Sequence, residues 1–143
     1  MRIEDLIEKG YIAKVKIDKK LVDKELEEAK YDLDKARIAL EQNDTKWCII
    51  KAYYSMFHAA RSVLFSMGLK ERRHFAIGIF LERLSRDGKL EAKYINDFRA
   101  AMSSREDADY RYVYSVDTAT YLTNIAEEFL ERMEKLIKKK TEK

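Results

Sequence analysis

Nine consecutive residues, Ser104-Arg105-Glu106-Asp107-Ala108-Asp109-Tyr110-Arg111-Tyr112, hold two guanidinium groups, three carboxylates and two phenols. An arginine in such company offers a planar fork matched to phosphate oxygens. Tyrosines beside it offer base stacking or hydroxyl chemistry. The same residues also describe an ion-paired turn, in which aspartates cap the next helix and arginines pair with them. Composition leaves both readings open. The second informative stretch, Ala52-Tyr53-Tyr54-Ser55-Met56-Phe57-His58-Ala59-Ala60-Arg61, is aromatic-rich and nearly uncharged. His58 lies four residues after Tyr54 and three before Arg61, so the three project from one helical face. They form either a polar cluster facing the Arg/Asp/Tyr segment or, the simpler case, a core histidine satisfied by a carbonyl or carboxylate.

Metal and triad chemistry have little to work with. His58 and His74 are the two histidines, neither sits in a paired metal-ligand spacing, and Cys48 is the lone cysteine, so a closed zinc site is not expected. No acidic cluster on an apolar face suggests a carboxylate cage, no local Ser-His-Asp or Cys-His signature is present, and no cofactor is implied.

Helices are the elements that must bring the two blocks together. Val22, Leu26, Ala29, Leu33, Ala36 and Leu40 fall on one stripe of a helix from about Asp18 to Glu41, leaving Lys24, Glu25, Glu28, Asp32 and Lys35 for water. Asn43-Asp44 breaks the chain and caps a helix from Thr45 to Met67, which Gly68 ends. That helix is apolar on more than one side, through Trp47, Ile50, Tyr54, Phe57, Val63, Leu64 and Phe65, and is expected at the centre of the fold. Phe57→Ala there should cost about 3–5 kcal/mol if the ring is fully buried. Further helices are expected over 73–85, 90–103 and from Asp117 through Leu136, fraying into Lys138-Lys139-Lys140, a basic helix end. Ile3 to Val15 reads as a short helix broken at Gly10, and Gly78 as a close helix crossing. No period-two pattern appears, so the class is all-α: an antiparallel bundle of four to five main helices.

With 143 residues and 46% hydrophobic content, the chain suits one domain over 1–143, its core about 18–136. Its 29 basic side chains nearly balance 26 acidic ones, so a net charge of +3 does not by itself announce a nucleic-acid binder. A lone cysteine rules out an internal disulfide. No apolar run approaches bilayer length and the amino terminus lacks a signal-peptide core, so a cytoplasmic location away from membranes is expected.

Taken together, Tyr53-Tyr54-Ser55-Met56-Phe57-His58-Ala59-Ala60-Arg61, then His74, then Ser104-Arg105-x-x-Ala108-Asp109-Tyr110, resembles the HEPN domain over about residues 18–136. The nearest branch is that of small prokaryotic proteins with these two motifs. The resemblance implies a helical bundle, usually a homodimer, paired with a minimal nucleotidyltransferase in toxin–antitoxin-like systems. Many members are metal-independent endoribonucleases whose arginine and histidine stand a few residues apart, two copies meeting across the dimer. Carried onto this chain, Arg105 matches the motif arginine, Tyr110 falls where the histidine would be, and Tyr112 matches the tyrosine that a partner enzyme nucleotidylates. A phenol titrates near pH 10 and an imidazole at about 6.5, so Tyr110 is a poor proton shuttle and His74 would have to replace it. The leading expectation is a dimeric binding module for a nucleotide or RNA phosphate, or for a protein, with Arg105, Asp109, Tyr110, Tyr54, His58 and Arg61 at the ligand. The alternative is a metal-independent endoribonuclease using Arg105 with His74 or Tyr110.

Overall fold

The computed structural model describes residues 2–141, with the side chains of Lys140 and Thr141 outside that description. In chain order the elements are α1 (Ile3–Glu8), β1 (Ile12–Lys14), α2 (Lys19–Glu41), α3 (Thr45–Ser66), β2 (Leu69–Glu71), α4 (Ala76–Arg86), α5 (Ala92–Glu106), a π-helical turn (Asp107–Arg111) and α6 (Val116–Thr141). The class is the all-α bundle expected, and several details depart from the sequence reading. Residues after Gly10 form a strand instead of resuming a helix. Lys138-Lys139-Lys140 continues α6 instead of fraying; the side chain of Lys140 lies outside the described residues.

Asp18 starts α2 by accepting from the Lys20 amide at 2.9 Å, and Asp44 starts α3 by accepting from the Trp47 amide at 3.3 Å. Each side chain satisfies an amide that the first helical turn leaves without a partner. The short link between the two helices makes them antiparallel, and Val22, Ala29, Leu33 and Ala36 bury their stripe against α3. Small residues let the helices close: Ala52, Ser55, Ala59, Ala60 and Ser62 are fully buried, and the Ser55 hydroxyl donates to the Ala29 carbonyl across the seam at 2.7 Å. Helix α3 touches α2, α5 and α6, which is why it is apolar on several sides. Trp47 is the exception. It stands 47% exposed, with the Lys51 ammonium over its ring. Phe57 is half-buried rather than enclosed, so the large core penalty belongs to its neighbour Tyr53.

The β1–β2 ribbon is antiparallel, pairing Ile12 with Glu71, Ala13 with Lys70 and Lys14 with Leu69. Three-residue strands are too short to display alternation in sequence, and their pairing spans the whole α2–α3 hairpin. Gly68 closes the ribbon at φ +71, where an added Cβ would lie 3.1 Å from the Val15 carbonyl oxygen. At Gly78 the expected close crossing is absent: an added Cβ meets nothing within 4 Å. Gly78→Ala is therefore expected to raise unfolding free energy by up to about 1 kcal/mol, the helix-propensity difference. Urea denaturation measures it, and a lower midpoint would contradict the open space seen here.

Helix α4 begins at Ala76, three residues later than the periodicity indicates, which leaves Arg73, His74 and Phe75 in a turn. Helix α5 runs three residues further than predicted, so Arg105 sits in its last turn instead of in irregular chain. No described helix is long and apolar enough to cross a membrane.

Candidate functional site

Four segments deliver side chains to one place. Helix α3 supplies Tyr53 and Tyr54, the turn before α4 supplies His74, the end of α5 supplies Arg105, and the π-turn supplies Asp109 and Tyr110. The π-turn is what aims the last two. Its wider coil carries Asp109 back toward Arg105 and ends at Tyr112, held left-handed at φ 57, while the Val113 amide returns to the Asp107 carbonyl at 3.0 Å. A tyrosine at positive φ is uncommon, and such strain gathers at functional segments.

Arg105 is the centre of the group. One terminal nitrogen, Nη2, donates to the Tyr54 hydroxyl at 3.1 Å, and Nε lies 3.2 Å from an Asp109 carboxylate oxygen. That Nε–H is nevertheless buried without an aligned hydrogen bond. The guanidinium carbon stands 5.5 Å, 5.6 Å and 5.9 Å from the ring centres of Tyr53, Tyr54 and Tyr110. Burial works against its charge, but the Tyr54 hydrogen bond and the nearby Tyr54 and Asp109 groups outweigh this and hold its pKa above the usual arginine value. The result is a permanent cation under an aromatic roof.

His74 reaches the same group through Tyr53. Its Nε2 is 2.5 Å from the Tyr53 hydroxyl oxygen, and its ring stacks on Phe57 at 4.9 Å with an 11° tilt. Burial raises the Tyr53 pKa, with Arg105 opposing weakly, so the phenol keeps its proton. The His74 pKa is lowered, first by burial and then by the charge of Arg105. A neutral ring accepting the Tyr53 O–H at Nε2 carries its own proton on Nδ1.

Tyr54 alone of the α3 trio joins Arg105. His58 and Arg61 turn to the other side of Phe57, toward α2. His58 Nδ1 contacts Glu25 at 2.6 Å, and its Nε2 is 3.6 Å from Asp32. Arg61 reaches Glu25 at 3.5 Å and Glu71 at 3.1 Å, and Asp32 also holds Lys51 at 3.3 Å. Glu25 and Asp32 therefore do not face water as the stripe suggested: Asp32 is buried and Glu25 nearly so. Tyr110 and Tyr112 are open, 70% and 75% exposed, and the Lys46 ammonium stands over the Tyr112 ring. Among the described residues no group of three or more His, Cys, Asp or Glu side chains is placed to hold a metal ion.

The HEPN-domain family model matches residues 22–140, most of the chain and all of the residues just described. The chain belongs to the HEPN family. At the level of that family it is a nucleotide- or RNA-related or interaction module. It is 34% identical over 83 residues to the UPF0332 protein PH1297 of Pyrococcus horikoshii, a match covering 55% of this chain and 58% of that relative's own length. The crystal structure of TT1696 from Thermus thermophilus superposes with a TM-score of 0.68 at 18% identity, covering 80% of this chain and 97% of the other. At that identity the likeness speaks for the bundle alone.

Two features of this HEPN chain escaped its sequence. Tyr53 stands in the motif, yet its role as the shared contact of His74 and Arg105 depends on two other segments, the turn before α4 and the end of α5. The α2–α3 charge ladder did leave a signal. Glu25 and Asp32 are seven residues apart, as are Lys51 and His58, so on antiparallel helices the pairs fall opposite each other.

The lowered pKa of His74 predicts a pH dependence of this fold. The unfolded chain takes up the imidazole proton near pH 6.5, and the native state does so at lower pH. Between the two values the unfolded state binds more protons, so the contribution is complete above the unfolded value and is lost as pH falls through the folded one. Denaturation at stepped pH should show His74→Gln with a flatter acid limb than the parent. Superimposable curves would dismiss the effect.

Proposed function

We propose that this HEPN chain is a binding module, acting as a homodimer beside a minimal nucleotidyltransferase in a toxin–antitoxin-like pair in the cytoplasm. Its ligand is a phosphate of a nucleotide or RNA, held by Arg105. The carrying observation is the setting of that guanidinium: charged, aromatic-roofed, and with a buried Nε–H short of a hydrogen bond. A phosphate would draw on the same cation that Asp109 now holds, while Tyr110, the most exposed ring of the group, offers a face to a base. Titration of labelled nucleotides and short RNA into the parent protein and Arg105→Ala, with sedimentation for the dimer, tests this. A monomer that binds neither ends the proposal.

One observation favours the enzymatic reading as a second. His74 and Arg105 both contact Tyr53, which brings an imidazole, a side chain suited to proton transfer, to the same phenol as the guanidinium. RNA cleavage that survives a chelator and disappears in both His74→Gln and Arg105→Ala would establish it. Tyr112, exposed at the exit of the π-turn, is accessible to a nucleotidylating partner. Intact mass after incubation with nucleotide and transferase reads that modification directly.

A further inference from the structure

Beside the β1–β2 ribbon lies an open hollow of about 700 Å³ with four cations in its wall, Lys14, Lys70, Arg72 and Arg73. All four are exposed. Its one acid, Glu71, is buried and already taken by Arg61 at 3.1 Å. Elsewhere this chain pairs its guanidinium groups. Arg2, Arg37, Arg61, Arg83, Arg86, Arg99, Arg105, Arg111 and Arg132 each stand within ion-pair reach of a carboxylate. Among the described residues Arg72 and Arg73 have no such carboxylate, and they are adjacent in the same wall.

Four like charges around one hollow repel each other, and an added polyanion relieves that repulsion. An aromatic edge accompanies the charge. Tyr11, next to the lining Gly10, accepts the Arg72 amide at its carbonyl and packs edge-to-face with Phe75 at 4.9 Å. Phe75 follows Arg73 by two residues and remains 50% exposed. A basic trough with a half-exposed aromatic ring two residues along the chain from its Arg73 wall is the pairing that holds single-stranded nucleic acid: cations follow the backbone and the ring takes a base. An acidic peptide would use the charge and leave the ring idle.

We propose that the ribbon hollow docks single-stranded RNA, with backbone phosphates on Lys14, Lys70, Arg72 and Arg73 and a base stacked on Phe75. The cations come from β1, from β2 and from the turn after it, so they serve successive phosphates better than a single mononucleotide. Its cations are not those of the Arg105 group, although His74, which reaches that group through Tyr53, lies between Arg73 and Phe75 in the same turn.

Fluorescence anisotropy with a labelled oligouridylate, at several salt concentrations, tests the proposal. In the double variant Arg72→Glu/Arg73→Glu the affinity should fall at least about tenfold, and the log–log salt slope should become shallower by about 1.4, near 0.7 for each phosphate lost. Lys14→Glu/Lys70→Glu should act in the same direction. Phe75→Ala should weaken binding about fivefold or more by removing the stacking face. These side chains are exposed, and unchanged circular dichroism and melting midpoints would confirm that the variants fold. In an Arg105→Ala background the ribbon variants should still lose affinity and slope, which separates this site from the one under the aromatic roof. Unchanged affinity and slope in the folded ribbon variants overturns the proposal. Displacement of the RNA by polyglutamate at equal charge concentration also overturns it, since a site reading charge alone has no use for Phe75.

Discussion

Tyr53→Ala is expected to lower the unfolding free energy by about 3–5 kcal/mol, the range for deleting a fully buried aromatic ring. Domains of this kind rest on about 5–15 kcal/mol in total, so the variant should be close to unfolding at ambient temperature. Tyr53 is 0% exposed and touches the rings of Tyr54, Phe57, His74 and Phe98 at centroid distances of 5.2–6.4 Å. It also forms part of the surface on which Arg105 rests. Tyr53→Phe keeps the ring and removes only the hydroxyl facing His74, at about 0.5–1.5 kcal/mol. The difference between the two variants separates the packing role from the hydrogen bond. Urea denaturation of both is the measurement, and a Tyr53→Ala loss no larger than that of Tyr53→Phe would mean the ring is not enclosed.

Arg105→Ala should reduce nucleotide or RNA-phosphate affinity by at least about tenfold, because a hydrogen bond to a charged partner contributes about 1.5–3 kcal/mol. Only 17% of the Arg105 side chain is exposed and three tyrosine rings pack against it, so truncation also removes packing, and an unchanged circular dichroism spectrum must accompany the binding measurement. Arg105→Lys makes the sharper variant. An ammonium keeps the charge but loses the planar fork and the broad contact with three tyrosine rings, so it should recover only part of the affinity. Equal binding by the parent and Arg105→Ala would leave the aromatic roof as packing alone. Full recovery by lysine would mean that charge, and not the fork, engages the ligand.

The positions of the helices were legible because they follow from local rules. The stripe from Val22 to Leu40 and the caps at Asp18 and Asp44 depend on residues within a few positions of each other, and they set α2 and α3 where the sequence indicates. The crowding of Arg, Asp and Tyr after Ser104 likewise marked a segment whose Asp109 and Tyr110 gather around Arg105. Its helical phase was not legible, because a π-turn follows from packing and the left-handed Tyr112 that ends it has no sequence signature of the kind a glycine gives. The ribbon was missed for a related reason: three-residue strands have no stability apart from the partner that lies across a helical hairpin.

Which polar residues meet was decided only by tertiary structure. Spacing grouped Tyr54, His58 and Arg61 on one face of α3, and that grouping is correct for a helix taken alone. Once the bundle closes, that face meets two different neighbours, so Tyr54 joins Arg105 while His58 and Arg61 join the carboxylates of α2. Residue chemistry and helix identity are encoded within a few turns of chain, whereas partnership depends on how helices rotate and cross, a property summed over the whole core.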